Sequence, residues 1–273
     1  MLIQNIQHSP RPFLKWAGGK SKLIKQYIPY FPKIFKTYYE PFLGGGAVFF
    51  YLQPEKAVIT DINLELINVY RCVRDNLAEL ILLLEKHQQN HSQEYYYQVR
   101  SSKKNNELER AARIIYLNKT CFNGLYRENS KGEFNVPMGR YKKPNICDLD
   151  TIRLASVALQ STVIEVRAFE NVVNYAKFDD FVYFDPPYYP LSSTSNFTAY
   201  SSYSFNEYDQ IRLRDTFVEL AERGVKVMLS NSDCSFIREL YGKFKIYEIT
   251  ASRSINSNAN KRGIITEVLV TSY

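Results

Sequence analysis

A chain of 273 residues, 45% hydrophobic and 23% charged, can bury one large core and has the balance of a globular protein. Its longest apolar runs, such as Leu80–Leu84, are far too short to cross a membrane, and residues 1–10 hold no apolar signal core, which argues against membrane and exported classes. Four scattered cysteines without a C-x-x-C pair suggest neither a disulfide framework nor a zinc site and fit a reducing cytoplasm, while a net charge of +7 suggests a polyanionic partner, although surplus lysine alone often serves only solubility.

Phe13-Leu14-Lys15-Trp16-Ala17-Gly18-Gly19-Lys20-Ser21 has the ending of a phosphate loop but not its start, because position 14 is Leu where glycine is required. What remains is the chain's only tryptophan, next to glycines and lysines. Trp16 is either a core residue or a ring that stacks on an adenine, with a lysine to neutralise a carboxylate. A first strand, Thr37–Tyr39, then leads through Glu40, Pro41, Phe42 and Leu43 into Gly44-Gly45-Gly46 and the helical Ala47–Leu52. Glycines let a ligand approach the backbone closely, and a helix start offers free N–H groups. Asp61 closes a second strand, Ala57–Thr60, where an acid can bind ribose hydroxyls. The dinucleotide pattern is incomplete, since position 49 is Phe. Glu40, the glycine turn and Asp61 together favour a nucleoside-bearing cofactor over a plain tight turn with a surface acid.

No parallel strand is expected between Thr60 and Val163. Helical periods occupy Ile62–Asp75, Leu77–Lys86, Gln93–Ser101 and Glu107–Asn118, followed by a polar loop over Phe122–Pro144. This gap predicts an inserted helical subdomain, residues 64–150, within a domain made of residues 1–63 and 151–273. In the loop, Asn123-Gly124 and Lys131-Gly132 suggest a hairpin. Arg127 can bond two acceptors of a guanine, and Phe122 and Tyr126 can stack or wedge between bases. Basic residues interleaved with aromatics, in a chain with 22 tyrosines, are the footprint of nucleic-acid binding. His87 and His91 lack the glutamate and further ligands of a zinc site and read as a solvated helical face.

The remaining strands, Val163–Val166, Phe181–Phe184, Val225–Ser230, Lys245–Thr250 and Ile264–Thr271, are mostly separated by helical patterns such as Asn206–Arg223, which implies a mainly parallel α/β sheet. The last two flank a polar segment and are expected to pair antiparallel. Phe-Val-Tyr-Phe at 181–184 runs into Asp185, Pro186, Pro187 and Tyr188. The prolines end the strand, so Asp185 is held at the carboxyl edge of the sheet, where open α/β sheets bind ligands. An acceptor beside an aromatic face suits a planar group bearing an exocyclic amine. Ser192–Ser195 has no nearby histidine to activate a nucleophile.

Taken together, these segments resemble the Dam family of DNA adenine-N6 methyltransferases. The matching stretches are Phe13–Lys20, Glu40–Gly46, Asp61, Phe122–Pro144, Asp185–Tyr188, Asn196–Tyr200 and Arg253–Asn258, spread over nearly the whole chain. The pairing of Asp-Pro-Pro-Tyr with Gly-Glu-Phe-Asn-Val-Pro at 132–137 and Asn-Phe-Thr-Ala-Tyr at 196–200 makes the resemblance specific. It implies a Rossmann-like methyltransferase sheet with an inserted helical DNA-recognition subdomain, S-adenosylmethionine as cofactor, and the adenine of GATC in double-stranded DNA as target. It assigns Trp16, Lys20, Asp61 and Asp185 to the cofactor, with Glu40, Phe42 and Gly44 nearby. Lys15, Phe122, Asn123, Leu125 and Arg127, together with Asn129, Pro137, Arg140, Lys142 and Lys143, fall to DNA. Phe122 stands where the family often has Tyr, which keeps the wedge and loses a hydroxyl.

In that reading the base is extruded, Tyr188 stacks on it, and Asp185 and the Pro186 carbonyl accept hydrogen bonds from its amine during direct transfer. No metal is expected, and the enzyme is expected to be a cytoplasmic monomer with no membrane association. The competing readings are methylation of RNA or of a protein glutamine, and a DNA-binding module without catalysis. The basic loop opposes a protein substrate, the family resemblance opposes RNA, and the intact Asp185, Tyr188 and glycine turn oppose a silent module.

Overall fold

The computed structural model describes residues 9–191, 205–252 and 264–273. The stretches at 192–200 and 253–258 singled out above lie outside the described residues.

Seven strands form one sheet: β1 (Tyr38–Glu40), β2 (Ala57–Asp61), β3 (Thr162–Val166), β4 (Phe181–Phe184), β5 (Lys226–Ser232), β6 (Lys245–Ser252) and β7 (Ile264–Thr271). Their order is β3-β2-β1-β4-β5-β7-β6. The first five run parallel, and β7 runs antiparallel to both β5 and β6. The antiparallel pairing of the last two strands is as expected, and β7 slots between β5 and β6.

β4 shows why the sheet is buried on both faces. All four of its residues are fully buried, and they alternate between two cores. Phe181 and Tyr183 face a core shared with α3 (Leu64–Asp75), α4 (Leu77–Gln89), α6 (Glu107–Thr120) and α7 (Leu149–Leu159). Val182 and Phe184 face the core built with α8 (Glu207–Glu222) and α9 (Ser235–Leu240). α3 covers this face at β2 and β3, and α4, α6 and α7 pack in turn against α3. A smaller cluster of Tyr96, Tyr116, Phe134, Val136 and Ile146 joins α5 (Gln93–Ser101) and α6 to the loop that follows.

Polar side chains fix where the helices start. Asn63, Ser92, Asn106 and Asp148 accept backbone N–H bonds at the starts of α3, α5, α6 and α7, and Asn206 with Asp209 forms a capping box on α8. α7 and α9 were not among the expected helices. Neither histidine of the 87/91 pair is simply solvated: His87 Nδ1 lies 2.9 Å from the Tyr95 hydroxyl and His91 Nδ1 lies 2.9 Å from that of Tyr116. Burial pushes His87 down to about 4.

The hairpin is less regular than expected. Only two isolated antiparallel bridges, Cys121 with Met138 and Glu128 with Phe134, tie its arms among the described residues. Its tip is Asn129–Gly132, which includes the expected Lys131-Gly132 but not Asn123-Gly124. The latter pair adopts positive φ, 55° and 65°, where the chain leaves α6 through a short 3-10 turn. Asn-Gly supplies left-handed backbone for either purpose, and here it turns the chain out of a helix.

The strand order reverses between β1 and β4. From β1 the chain moves outward to β2 and β3, then returns on the other side of β1 to lay down β4 and β5. The crevice at the carboxyl ends of β1 and β4 is thus the expected ligand site. At the opposite, amino end of β4, Phe181 anchors the middle of the sheet, with ring centroids 5.5 Å from both Phe35 and Tyr38. Phe181→Ala should destabilise the protein by about 3–5 kcal/mol through lost burial and a cavity. Denaturant unfolding checks this, and a loss below about 1 kcal/mol would show that the surrounding rings collapse into the space.

Candidate active site

The turn after β1 is built by contacts that glycine alone allows. Gly44 has φ of 48°, and a Cβ there would lie 2.9 Å from Trp16 Cδ1. The Gly44 N–H donates to Asp61 Oδ2 at 3.2 Å, and the Asn63 N–H donates to Asp61 Oδ1 at 2.9 Å. Asp61 is partly buried, and desolvation raises its carboxyl above the ordinary value while these backbone bonds oppose the shift. Trp16 covers the turn as a half-buried ring stacked on Tyr126, with centroids 5.4 Å apart. It is neither a free platform nor a fully buried core residue. Phe42 is half-buried and stacks on Phe169 at 5.2 Å.

Glu40 lies beneath the turn, 2% exposed, and its Oε2 accepts from the Tyr38 hydroxyl at 2.7 Å and from the Phe49 N–H at 3.2 Å. It thereby fastens β1 to α2 (Ala47–Leu52). Burial pushes its carboxyl up to about 8.

On the adjacent strand, Asp185 leaves β4 at the sheet edge. Lys20 Nζ lies 2.7 Å from Asp185 Oδ1, and the Ser230 hydroxyl donates to the same oxygen at 2.8 Å. Among the described residues no donor occupies Oδ2. Lys20 is only 4% exposed, and its ammonium also donates to the Gly18 carbonyl at 2.5 Å and sits 4.6 Å above the Tyr188 ring. The Tyr188 hydroxyl donates to Glu267 Oε2 on β7 at 2.8 Å.

The backbone between Asp185 and Tyr189 is held from the sheet side. Gln210 Nε2 donates to the Pro187 carbonyl at 3.0 Å, and Asn231 Nδ2 donates to Gln210 Oε1 at 3.0 Å. Asn231 Oδ1 in turn accepts from the Tyr189 N–H at 3.1 Å. Gln210 and Asn231 are both fully buried.

The sequence reading missed Ser230, Gln210, Asn231 and Glu267. A signal existed for two of them. The strand Val225–Ser230 ends in the polar run Ser230-Asn231-Ser232, and parallel pairing of Phe184 with Leu229 sets Asp185 beside Ser230. Gln210 within an ordinary helix and Glu267 within a final strand carry no such mark.

The loop residues assigned to DNA divide by their present contacts. Phe122 is 50% exposed, and Asn123, Pro137, Arg140, Lys142 and Lys143 are also exposed. Arg127 is steered by Asn135: its Nε donates to Asn135 Oδ1 at 2.6 Å. Asn129 closes the tip, its Oδ1 accepting from the N–H groups of Lys131 and Glu133 at 2.9 and 3.0 Å. Leu125 packs against the small core under the loop. The exposed Lys15 donates to the Tyr141 hydroxyl at 3.1 Å. Its backbone is pinned to the loop by Asn118, which accepts from Lys15 N at 2.9 Å and donates to the carbonyls of Lys15 and Gly124 at 2.7 and 3.0 Å. A Cβ at Gly124 would lie 2.5 Å from Lys15 Cβ.

A five-strand parallel run completed by a reversed β7 between β5 and β6 is the sheet of the Rossmann-like methyltransferases. The D12 class N6 adenine-specific DNA methyltransferase family matches residues 16–255, and this chain belongs to that family, whose members act on adenine in DNA. The chain is 49% identical over 280 residues to the type II methyltransferase M1.LlaDCHI of Lactococcus lactis subsp. cremoris, an alignment covering 100% of this chain and 99% of that one. It is 44% identical over 286 residues to the type II methyltransferase M.MjaIII of Methanocaldococcus jannaschii, covering 96% and 99%. To the DNA adenine methylase of Escherichia coli (strain K12) it is 37% identical over 263 residues, covering 95% and 94%. No helix among the described residues is long and apolar enough to cross a membrane.

Glu40 gives a pH test of this site. A carboxyl raised from 4.5 to about 8 on folding keeps its proton in the native state. Its contribution to stability is complete below about pH 4.5 and is lost as pH rises towards 8. Glu40→Gln, which stays neutral, should lose less stability over that window than the wild type. Parallel pH–stability curves from denaturant unfolding would mean that Glu40 is ionised in the folded protein.

Proposed function

We propose that this enzyme transfers a methyl group from S-adenosylmethionine to N6 of adenine in double-stranded DNA, within GATC, after extruding the base. The observation that carries the reading is Asp185. Its Oδ1 is saturated by Lys20 and Ser230, while Oδ2, which meets no donor among the described residues, serves as an acceptor beside the Tyr188 ring at the switch point of the sheet.

The crevice fits the cofactor. Gly44 keeps the turn bare of a side chain so that the Trp16 ring closes over it, and Asp61 offers a partly exposed carboxylate already oriented by two backbone bonds, suited to ribose hydroxyls. Trp16, Lys20, Asp61 and Asp185 would hold it, with Glu40, Phe42 and Gly44 shaping its floor. S-adenosylmethionine, when bound, supplies an electrophilic methyl on a sulfonium. The protein's own work is alignment. Asp185 Oδ2 and the Pro186 carbonyl accept the two amine hydrogens, which keeps the nitrogen lone pair out of the ring and directed at the incoming carbon. Pro186 and Pro187 hold these acceptors rigid, and Tyr188 stacks on the base. No covalent intermediate is formed on the protein.

Residues 64–150 serve as the target-recognition part, with the exposed Phe122 as wedge, Arg127 as guanine reader and Lys15 on a flanking guanine. Arg140, Lys142 and Lys143 hold phosphates. The resemblance to Dam enzymes supports GATC and a monomer acting in the cytoplasm.

The test is incorporation of labelled methyl from S-adenosylmethionine into GATC duplexes and single-base variants at fixed salt. Asp185→Ala should lower turnover by at least about a hundredfold with the fold intact, since alignment at the reacting atom is lost. It should also weaken cofactor binding. Near-normal turnover by a folded variant would remove Asp185 from the chemistry.

Arg127→Ala should relax specificity, because a bidentate Arg–guanine contact discriminates by about 1–3 kcal/mol. Lys142→Ala and Lys143→Ala should weaken binding almost equally on all sequences and flatten its salt dependence. Equal loss on GATC and its variants for Arg127→Ala, with an altered ratio for a lysine variant, would reverse the two assignments.

A further inference from the structure

We propose that Glu267 is a positioning residue for methyl transfer, acting through the hydroxyl of Tyr188. This deepens the reading above and rests on Tyr188 being the ring that receives the base. Glu267 lies on β7, the strand inserted antiparallel between β5 and β6, and pairs with Ser232 on β5 and Ile249 on β6. Its backbone is therefore locked on both sides. Its Oε2 accepts the Tyr188 hydroxyl at 2.8 Å across 79 residues of sequence.

Tyr188 is thus held at two points. Lys20 Nζ sits 4.6 Å from the centroid, covering one face of the ring, and Glu267 fixes the far end of the ring's long axis. With one face under the ammonium and the hydroxyl tethered, the opposite face is the one a flipped base can meet. Among the described residues no aromatic ring stacks on Tyr188. A stacking ring that could swing about χ1 and χ2 would have to lose that freedom as the base arrives, and the two contacts remove it in advance.

Glu267 is well suited to this role. It is partly buried, so its bond to Tyr188 is shielded from competing water. Burial raises its carboxyl, while Lys20 and the Tyr188 hydrogen bond oppose the shift. A pure sheet residue at this position would need no carboxylate.

A double-mutant cycle tests the inference. Wild-type transfer to adenine in a GATC duplex is measured first, so a failure of the proposed function shows there, before any variant is compared. Tyr188→Phe and Glu267→Ala should each slow single-turnover transfer by about threefold to tenfold, the scale of one hydrogen bond, with KM for DNA little changed. The Tyr188→Phe/Glu267→Ala enzyme should be no slower than Tyr188→Phe alone, and Glu267→Gln, which keeps an acceptor, should restore most of the rate. 2-aminopurine at the target position should be brighter with Glu267→Ala than with wild type, because a looser ring stacks less completely. Independent losses that multiply in the double variant would overturn the inference. So would a Glu267→Ala enzyme that loses thermal stability while single-turnover rate and 2-aminopurine signal match wild type.

Discussion

The ion pair between Lys20 and Asp185 is the constraint on which this site is built. A lysine ammonium that is almost wholly enclosed would be strongly disfavoured without compensation. Its partners are a carboxylate, a backbone carbonyl from Gly18 and an aromatic face, so each of these groups is held in place by the same cation. The N-terminal segment that carries Lys20 is bound in this way to the end of β4. Trp16, four residues earlier, is in turn laid over the glycine turn after β1. Two strand ends and a loop meet in one arrangement around this cation.

The polar residues around this pair form a second tier. Ser230, Asn231 and Gln210 are fully buried; Ser230 donates to the Asp185 carboxylate, while Asn231 and Gln210 bond to each other and to the Pro187–Tyr189 backbone. Such a network is rigid when it is satisfied and costly when it is not. It lets a loop containing two prolines behave as an extension of the sheet, which a site relying on alignment requires.

Much of this was legible in the sequence because the decisive signals are local. The apolar run ending in Asp-Pro-Pro-Tyr located β4 and Asp185. The absence of strand patterns after Thr60 located the run of helices, and the polar join before Ile264 anticipated the antiparallel finish. What was not legible depends on register or on capping. Ser230 meets Asp185 from 45 residues away through the pairing of two strands. Glu267 meets Tyr188 only because β7 enters the sheet between β5 and β6, and no local pattern announces that insertion. Asn123-Gly124 has the composition of a hairpin turn but takes the chain out of α6, since left-handed backbone serves both purposes. His87 and His91 found tyrosine hydroxyls because α5 and α6 pack beside α4.

The junction at Asn118 has a consequence for how such enzymes can diversify. One amide joins the backbone of Lys15 to that of Gly124, and the two chains approach so closely there that no side chain fits at position 124. The loop that begins at Phe122 and the segment that leads to Lys20 are therefore a single mechanical part. A recognition loop exchanged from a relative would have to bring compatible residues at 15, 118 and 124 with it. Variation in this loop is thereby channelled toward side chains projecting from the joint, while its backbone path stays as it is.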